Sequence, residues 1–160
     1  MLKVNDQAPL DVQITDQDGK QVSLRAVLLE NPNKFIVVYF YPKDDTPGCT
    51  TEACNFRDDS AKFAKHNAVV IGVSKDDEKS HLKFASKYSL PFPLWADTEH
   101  KLMDAFGVWA EQSFMGRKYM GTSRSTFIVN PSGKIAAVWE KVKPATHSKE
   151  VIAFLDSQSA

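Results

Sequence analysis

Two cysteines, Cys49 and Cys54, are the only thiols in this 160-residue chain, and that scarcity excludes several chemistries. A structural zinc site needs four ligands, commonly two close pairs, and no second cysteine pair exists. The redox motif Cys-x-x-Cys is missing too, because four residues separate the two thiols. His66, His81, His100 and His147 show no ligand-like spacing with one another or with the cysteines, so no metal is expected. Net charge is also lacking. Lys plus Arg equals Asp plus Glu at 20 each, which leaves no basic field to draw nucleic acid or an anionic membrane. The unbroken apolar run from Phe35 to Tyr41 falls far short of the ~20 residues of a spanning helix. MLKVNDQAPL, at the start, carries no apolar stretch of signal-peptide length. The chain is therefore expected to be soluble and cytoplasmic, where a reactive or transient disulfide is favoured over a structural one.

No internal repeat, linker or low-complexity tract interrupts the chain, so residues 1–160 are expected to form one domain. That length buries roughly two thirds of the unfolded surface and needs no disulfide staple. Val12, Ile14, Val22 and Leu24 alternate with polar residues around Asp18-Gly19, which predicts an N-terminal β-hairpin. FIVVYFY, closed by Pro42, reads as a central strand covered on both faces. Helical spacing of Ala53, Phe56, Ser60, Phe63 and Ala64 predicts one helix from about residue 49 to 65. Strand AVVIGVS, helix DDEKSHLKFASKYS, short strand PFPLWAD and helix TEHKLMDAFG follow. QSFMGRKYMGTSRSTFIVN is expected to pair with GKIAAVWEK around the turn at 130–133, and SKEVIAFLDS closes the chain as a helix. This order describes an α/β thioredoxin-like fold, a central mixed sheet flanked by helices with an N-terminal hairpin added.

Cys49 falls where the chain leaves a Pro-Gly turn and enters a helix. Unpaired N–H groups and the positive end of the macrodipole there favour negative charge on a sulfur. A lone cysteine is as readily a small buried hydrophobe, so position alone leaves both readings open. Pro42, Thr46 and Cys49 compose the pattern P-x-x-x-T-x-x-C at the end of the central strand. FYPKDDTPGCTTEACNF, residues 40–56, resembles the peroxiredoxins, specifically the bacterioferritin comigratory protein or peroxiredoxin Q group. MGRKYMGTSRSTFIVNPSGKI, residues 115–135, resembles the second signature block of that group.

The resemblance implies a thiol peroxidase with no metal, haem or flavin. Cys49 would be the nucleophile that attacks a peroxide oxygen and becomes a sulfenic acid. Thr46, whose hydroxyl both donates and accepts, would stand between thiolate and peroxide, unless it is an ordinary helix cap. Pro42 would shape the pocket and exclude water, or else merely end the strand. The resemblance brings Arg124 from a distant strand to hold thiolate and leaving oxygen with a planar cation; without it, Arg124 reads as a surface charge. Glu52 would anchor that network, or simply complement the helix dipole. Phe106, Trp109, Phe114 and Tyr119 wall the pocket or pack in the core.

The resemblance also implies that Cys54 resolves the sulfenic acid as an intrachain disulfide, unless Cys54 is a passive helix residue and an outside thiol resolves it. Five residues along an ideal helix separate the two Cα atoms by about 8.6 Å, whereas a disulfide wants them within ~6.8 Å. The first helical turns must then unwind after oxidation, giving an exposed disulfide open to thioredoxin or another dithiol. With both thiols on one helix no partner subunit is needed, and the resemblance favours a monomer. Peroxide separates the rivals: a disulfide oxidoreductase would exchange thiols without it, and an inert scaffold would oxidise slowly.

Overall fold

The computed structural model describes residues 1–158. In chain order these form β1 (Ile14–Asp16), β2 (Gln21–Val22), α1 (Leu24–Glu30), β3 (Phe35–Phe40), α2 (Pro47–Asp58) and α3 (Ser60–Lys65). There follow β4 (Ala68–Ser74), α4 (Glu78–Tyr88), β5 (Leu94–Ala96), α5 (Lys101–Phe106), β6 (Trp109–Phe114) and β7 (Arg117–Thr122). β8 (Ser125–Val129), β9 (Ile135–Trp139) and α6 (His147–Ser157) complete the order. Seven strands join in one sheet, ordered β2-β1-β5-β4-β3-β8-β9. β3 pairs parallel with β4 and antiparallel with β8, so the sheet is mixed and β3 lies inside it.

Side-chain alternation along β3 divides the core. Val37 and Tyr39, with Tyr41 just beyond the strand, face Ala53 and Phe56 of α2, Phe63 of α3, Phe84 of α4 and Val151 of α6. Ile36, Val38 and Phe40 face Leu24 of α1 and Leu102, Met103 and Phe106 of α5. Both faces of this strand are covered, which is why its sequence is apolar without interruption. The result is the expected thioredoxin-like architecture, with helices on both sides of a mixed sheet.

Three local expectations change. The hairpin forms, with Ile14 opposite Val22, but Leu24 starts α1 instead of extending the strand. Ser23 caps that helix by accepting from the Ala26 N–H at 3.2 Å, and the local cap overrides the alternation. The single helix expected over 49–65 is broken at Asp59 into α2 and α3. Asp59 accepts from Ser148 Oγ at 2.8 Å, so a poor helix former is tied to α6 at the break. Finally, residues 112–122 do not pair with β9: β6 and β7 make a separate two-stranded ribbon, and only β8 pairs with β9. Met115 and Gly116 both have positive φ, 50° and 79°, the geometry of a two-residue primed turn.

Candidate active site

The turn that leads from β3 into α2 is anchored before the helix begins. Asp44 accepts hydrogen bonds from Tyr41 Oη at 2.6 Å and Ser80 Oγ at 2.8 Å, and its Oδ2 lies 2.7 Å from His81 Nδ1. The Asp44 N–H in turn donates to Asp76 Oδ2 at 2.8 Å. His81 Nε2 lies 2.9 Å from the Trp95 carbonyl, which can only accept, so that nitrogen carries a proton. Asp44, Asp76 and His81 offer ligand atoms within 4.8 Å of one another, a grouping that spacing did not reveal. Their contacts are hydrogen bonds that tie the turn to α4 and β4. Asp45, at φ 56°, accepts from Lys87 Nζ and Tyr88 Oη, both at 2.7 Å. Pro42, half-buried, opens this turn, and Thr46 occupies the cap position of α2. The Thr46 side chain does not cap the helix; its hydroxyl donates to the Lys43 carbonyl at 2.9 Å, leaving oxygen lone pairs free to accept.

Cys49 lies in the first turn of α2 and is 1% exposed. Arg124, in the short link between β7 and β8, donates from Nη2 to Cys49 Sγ at 3.2 Å. Its Nη1 donates to Glu52 Oε1 at 2.8 Å. Glu52 sits one turn after Cys49 and is itself buried, so one guanidinium joins a thiol and a carboxyl in a site largely shielded from water. Gly48 makes the approach possible. A Cβ there would meet Arg124 Nη2 at 3.2 Å and Pro144 Cγ at 3.6 Å. The sequence signals Gly48 only as part of a turn.

Cys54 is half-buried on the same intact helix, and both thiols are free. Among the aromatic candidates, Phe106 packs in the core against Phe40 and Phe127. Trp109 stacks on His100 at 3.6 Å between centroids, while Phe114 and Tyr119 project from the ribbon, 67% and 52% exposed. No helix among the described residues is long and apolar enough to cross a membrane.

Burial dominates the titration of the groups around Arg124. It pushes the Glu52 carboxyl up from 4.5 to about 7, against the pull of Arg124. It pushes the His147 imidazole down from 6.5 to about 4, and the Arg124 charge adds to that. Burial also disfavours the charge of Arg124, yet the nearby Glu52 and Cys49 raise it overall. These shifts act oppositely on stability. Between pH 4.5 and about 7 the folded chain keeps a proton on Glu52 that the unfolded chain has released. That contribution is full below pH 4.5 and is lost as pH rises through about 7. The His147 contribution is present above pH 6.5 and is lost as pH falls towards about 4. Each is on the order of 3 kcal/mol, and in wild type they oppose one another between pH 7.5 and pH 5. Glu52→Gln removes one side of the balance. Its stability in urea unfolding should drop, relative to wild type, by roughly 2 to 3 kcal/mol between pH 7.5 and pH 5. Parallel pH profiles would contradict this balance.

Against this geometry, the AhpC/TSA family profile matches residues 4–138. Peroxiredoxin Bcp of Bacillus subtilis is 44% identical over 158 residues, covering 99% of this chain and 98% of the relative. Peroxiredoxin Q of Xanthomonas campestris superposes with a TM-score of 0.88 at 38% identity, covering 100% of this chain and 98% of that one. A bacterioferritin comigratory protein of the same organism superposes with a TM-score of 0.87 at 37% identity, covering 97% of this chain and all of the other. A buried thiol at a helix start, gripped by an arginine from the link before the neighbouring strand β8, is thus carried by a chain that belongs to the AhpC/TSA family, in its peroxiredoxin Bcp/Q branch of thiol peroxidases.

Proposed function

We propose that the chain reduces hydrogen peroxide and organic hydroperoxides through Cys49 and recycles itself through Cys54. The contact between Arg124 Nη2 and Cys49 Sγ carries this reading, because it sets a permanent cation beside the sulfur at the positive end of α2. In the first step the Cys49 thiolate attacks the distal peroxide oxygen. An S–O bond forms, the O–O bond breaks, and water or an alcohol leaves once protonated, with Cys49 left as sulfenic acid. Arg124 stabilises both the thiolate and the charge that develops on the leaving oxygen. Glu52 fixes the guanidinium plane, the Thr46 hydroxyl bridges to the peroxide, and Pro42 closes the turn against water. Alkyl peroxide substrates are supported by the alkyl peroxide reduction activity of the related X. campestris protein.

In the second step the Cys54 sulfur attacks the Cys49 sulfur. An S–S bond forms, the S–O bond breaks and water departs. Intact α2 holds the two Cα atoms about 8.6 Å apart, so α2 must unwind first. An external dithiol, thioredoxin by preference, then supplies two electrons and restores both thiols. Both sulfurs belong to one helix, so a monomer completes the cycle. Cys54→Ser tests the internal step. The variant should consume its first peroxide equivalent at the wild-type rate, while steady-state turnover with thioredoxin falls roughly tenfold or more. Unchanged turnover would remove Cys54 from the cycle.

A further inference from the structure

Beside Cys54, the Asn55 side chain reaches the turn that precedes α6. Its Nδ2 donates to the carbonyls of Pro144 and Ala145, each at 3.2 Å. Pro144 also approaches the start of α2, where its Cγ lies 3.6 Å from the point a Gly48 Cβ would occupy. At the other end of α2, Asp59 is held by Ser148 Oγ at 2.8 Å, and α3 resumes with Ser60. The helix that carries both thiols is therefore held at its start by Arg124 through Cys49 and Glu52, at Arg57 by the Tyr88 carbonyl at 2.8 Å, at its end by Asp59, and beside Cys54 by the Asn55 amide.

We infer that Asn55 is a positioning residue that holds the thiol-bearing helix on the 144–145 turn and so sets how long oxidised Cys49 waits for Cys54. The inference rests on the reading of Cys54 as the internal resolving thiol. Backbone carbonyls of residues 50–53 are the helical acceptors for the N–H groups of residues 54–57. Melting the segment between the two sulfurs strips the turn around Asn55 of those bonds; the Asn55 clamp then resists the movement of Cys54 directly, beside the burial of Phe56 and the Arg57 bond to the Tyr88 carbonyl. Waiting has a chemical consequence. A sulfenic acid not yet captured by Cys54 can attack a second peroxide, forming a sulfinic acid and releasing water or alcohol. Asn55 thus governs the partition between a reversible disulfide and over-oxidation, without touching the peroxide.

Asn55→Asp is the informative variant. Asp and Asn have similar helix propensities, but the carboxylate cannot donate to the two carbonyls. After a pulse of hydrogen peroxide, alkylation and mass spectrometry follow thiol, disulfide and sulfinic forms over time. Disulfide formation should be about tenfold faster than in wild type, as expected for losing two hydrogen bonds of ordinary strength. The peroxide concentration giving half sulfinic acid should rise by a similar factor, with the initial peroxide reaction within about twofold of wild type. Equal disulfide rates would overturn the proposal. So would a matching loss in the first step, which would place Asn55 in the peroxide chemistry instead. Ser148→Ala loosens the fixed end and should leave the partition unchanged; equal acceleration there would show general loosening and overturn the assignment to Asn55. Wild type that never forms the 49–54 disulfide would refute the resolving role of Cys54 and the clamp together, an outcome separate from equal rates in a disulfide-forming protein.

Discussion

Cys49→Ser reduces peroxide consumption by at least a thousandfold, to the background of an unreactive protein surface. The order of magnitude follows from nucleophilicity: a serine hydroxyl is essentially un-ionised near neutral pH, and the group that Cys49 meets is the Arg124 guanidinium, a cation that cannot act as a base. Cys54, half-buried on the same helix, lies near Arg57, but that guanidinium donates to Asp58 and to the Tyr88 carbonyl and does not grip the sulfur as Arg124 grips Cys49, so Cys54 does not substitute. Because serine is close in size and Cys49 is packed against the sheet-facing core, folding should be nearly unchanged. Thermal unfolding and stopped-flow peroxide kinetics on the same sample separate the two effects. Residual activity above a few per cent of wild type would mean that another group carries the reaction.

Arg124→Met should lower the second-order rate with hydrogen peroxide by about a hundredfold, the usual cost of losing one donor aimed at developing charge. Methionine keeps much of the arginine stem's volume, so the loss reports on the guanidinium. A second effect accompanies it. Without the cation, Glu52 keeps its burial but loses the group that favours its ionised form, so its carboxyl stays protonated to higher pH than in wild type. Arg124→Lys should recover only part of the rate, since an ammonium cannot span Cys49 Sγ and Glu52 Oε1 with a fixed planar fork. A rate within twofold of wild type in Arg124→Met would show that the contact at 3.2 Å is structural only.

Much of this site was legible because its chemistry is contiguous. Residues 40–56 carry the strand end, the turn, both thiols and Glu52 in one stretch, and residues 115–135 bring Arg124 in a second. Strand β3 declared itself through burial on both faces, and its parallel neighbour β4 through a similar apolar run. What stayed hidden depends on contacts between distant residues. Asn55 meets Pro144 and Ala145 across 89 and 90 positions, and no local pattern marks either partner. Gly48 read as a turn residue, whereas its importance is the room it leaves for Arg124. Helix α1 was masked because Leu24 completes an alternating pattern, although Ser23 supplies a cap. Met115-Gly116 escaped notice as a turn because methionine rarely accepts positive φ. The Asp59 break was masked by apolar residues that keep helical spacing on both sides of it.

The account depends on α2 being a helix while Cys49 is reduced and coming apart once it is oxidised. Amide hydrogen exchange of residues 47–58, compared in the reduced protein and after one equivalent of hydrogen peroxide, tests this directly. Slow exchange in the reduced form, replaced by fast exchange in a form that has lost both thiols, is the predicted result. Slow exchange in both forms, with peroxide turnover proceeding normally, would contradict it.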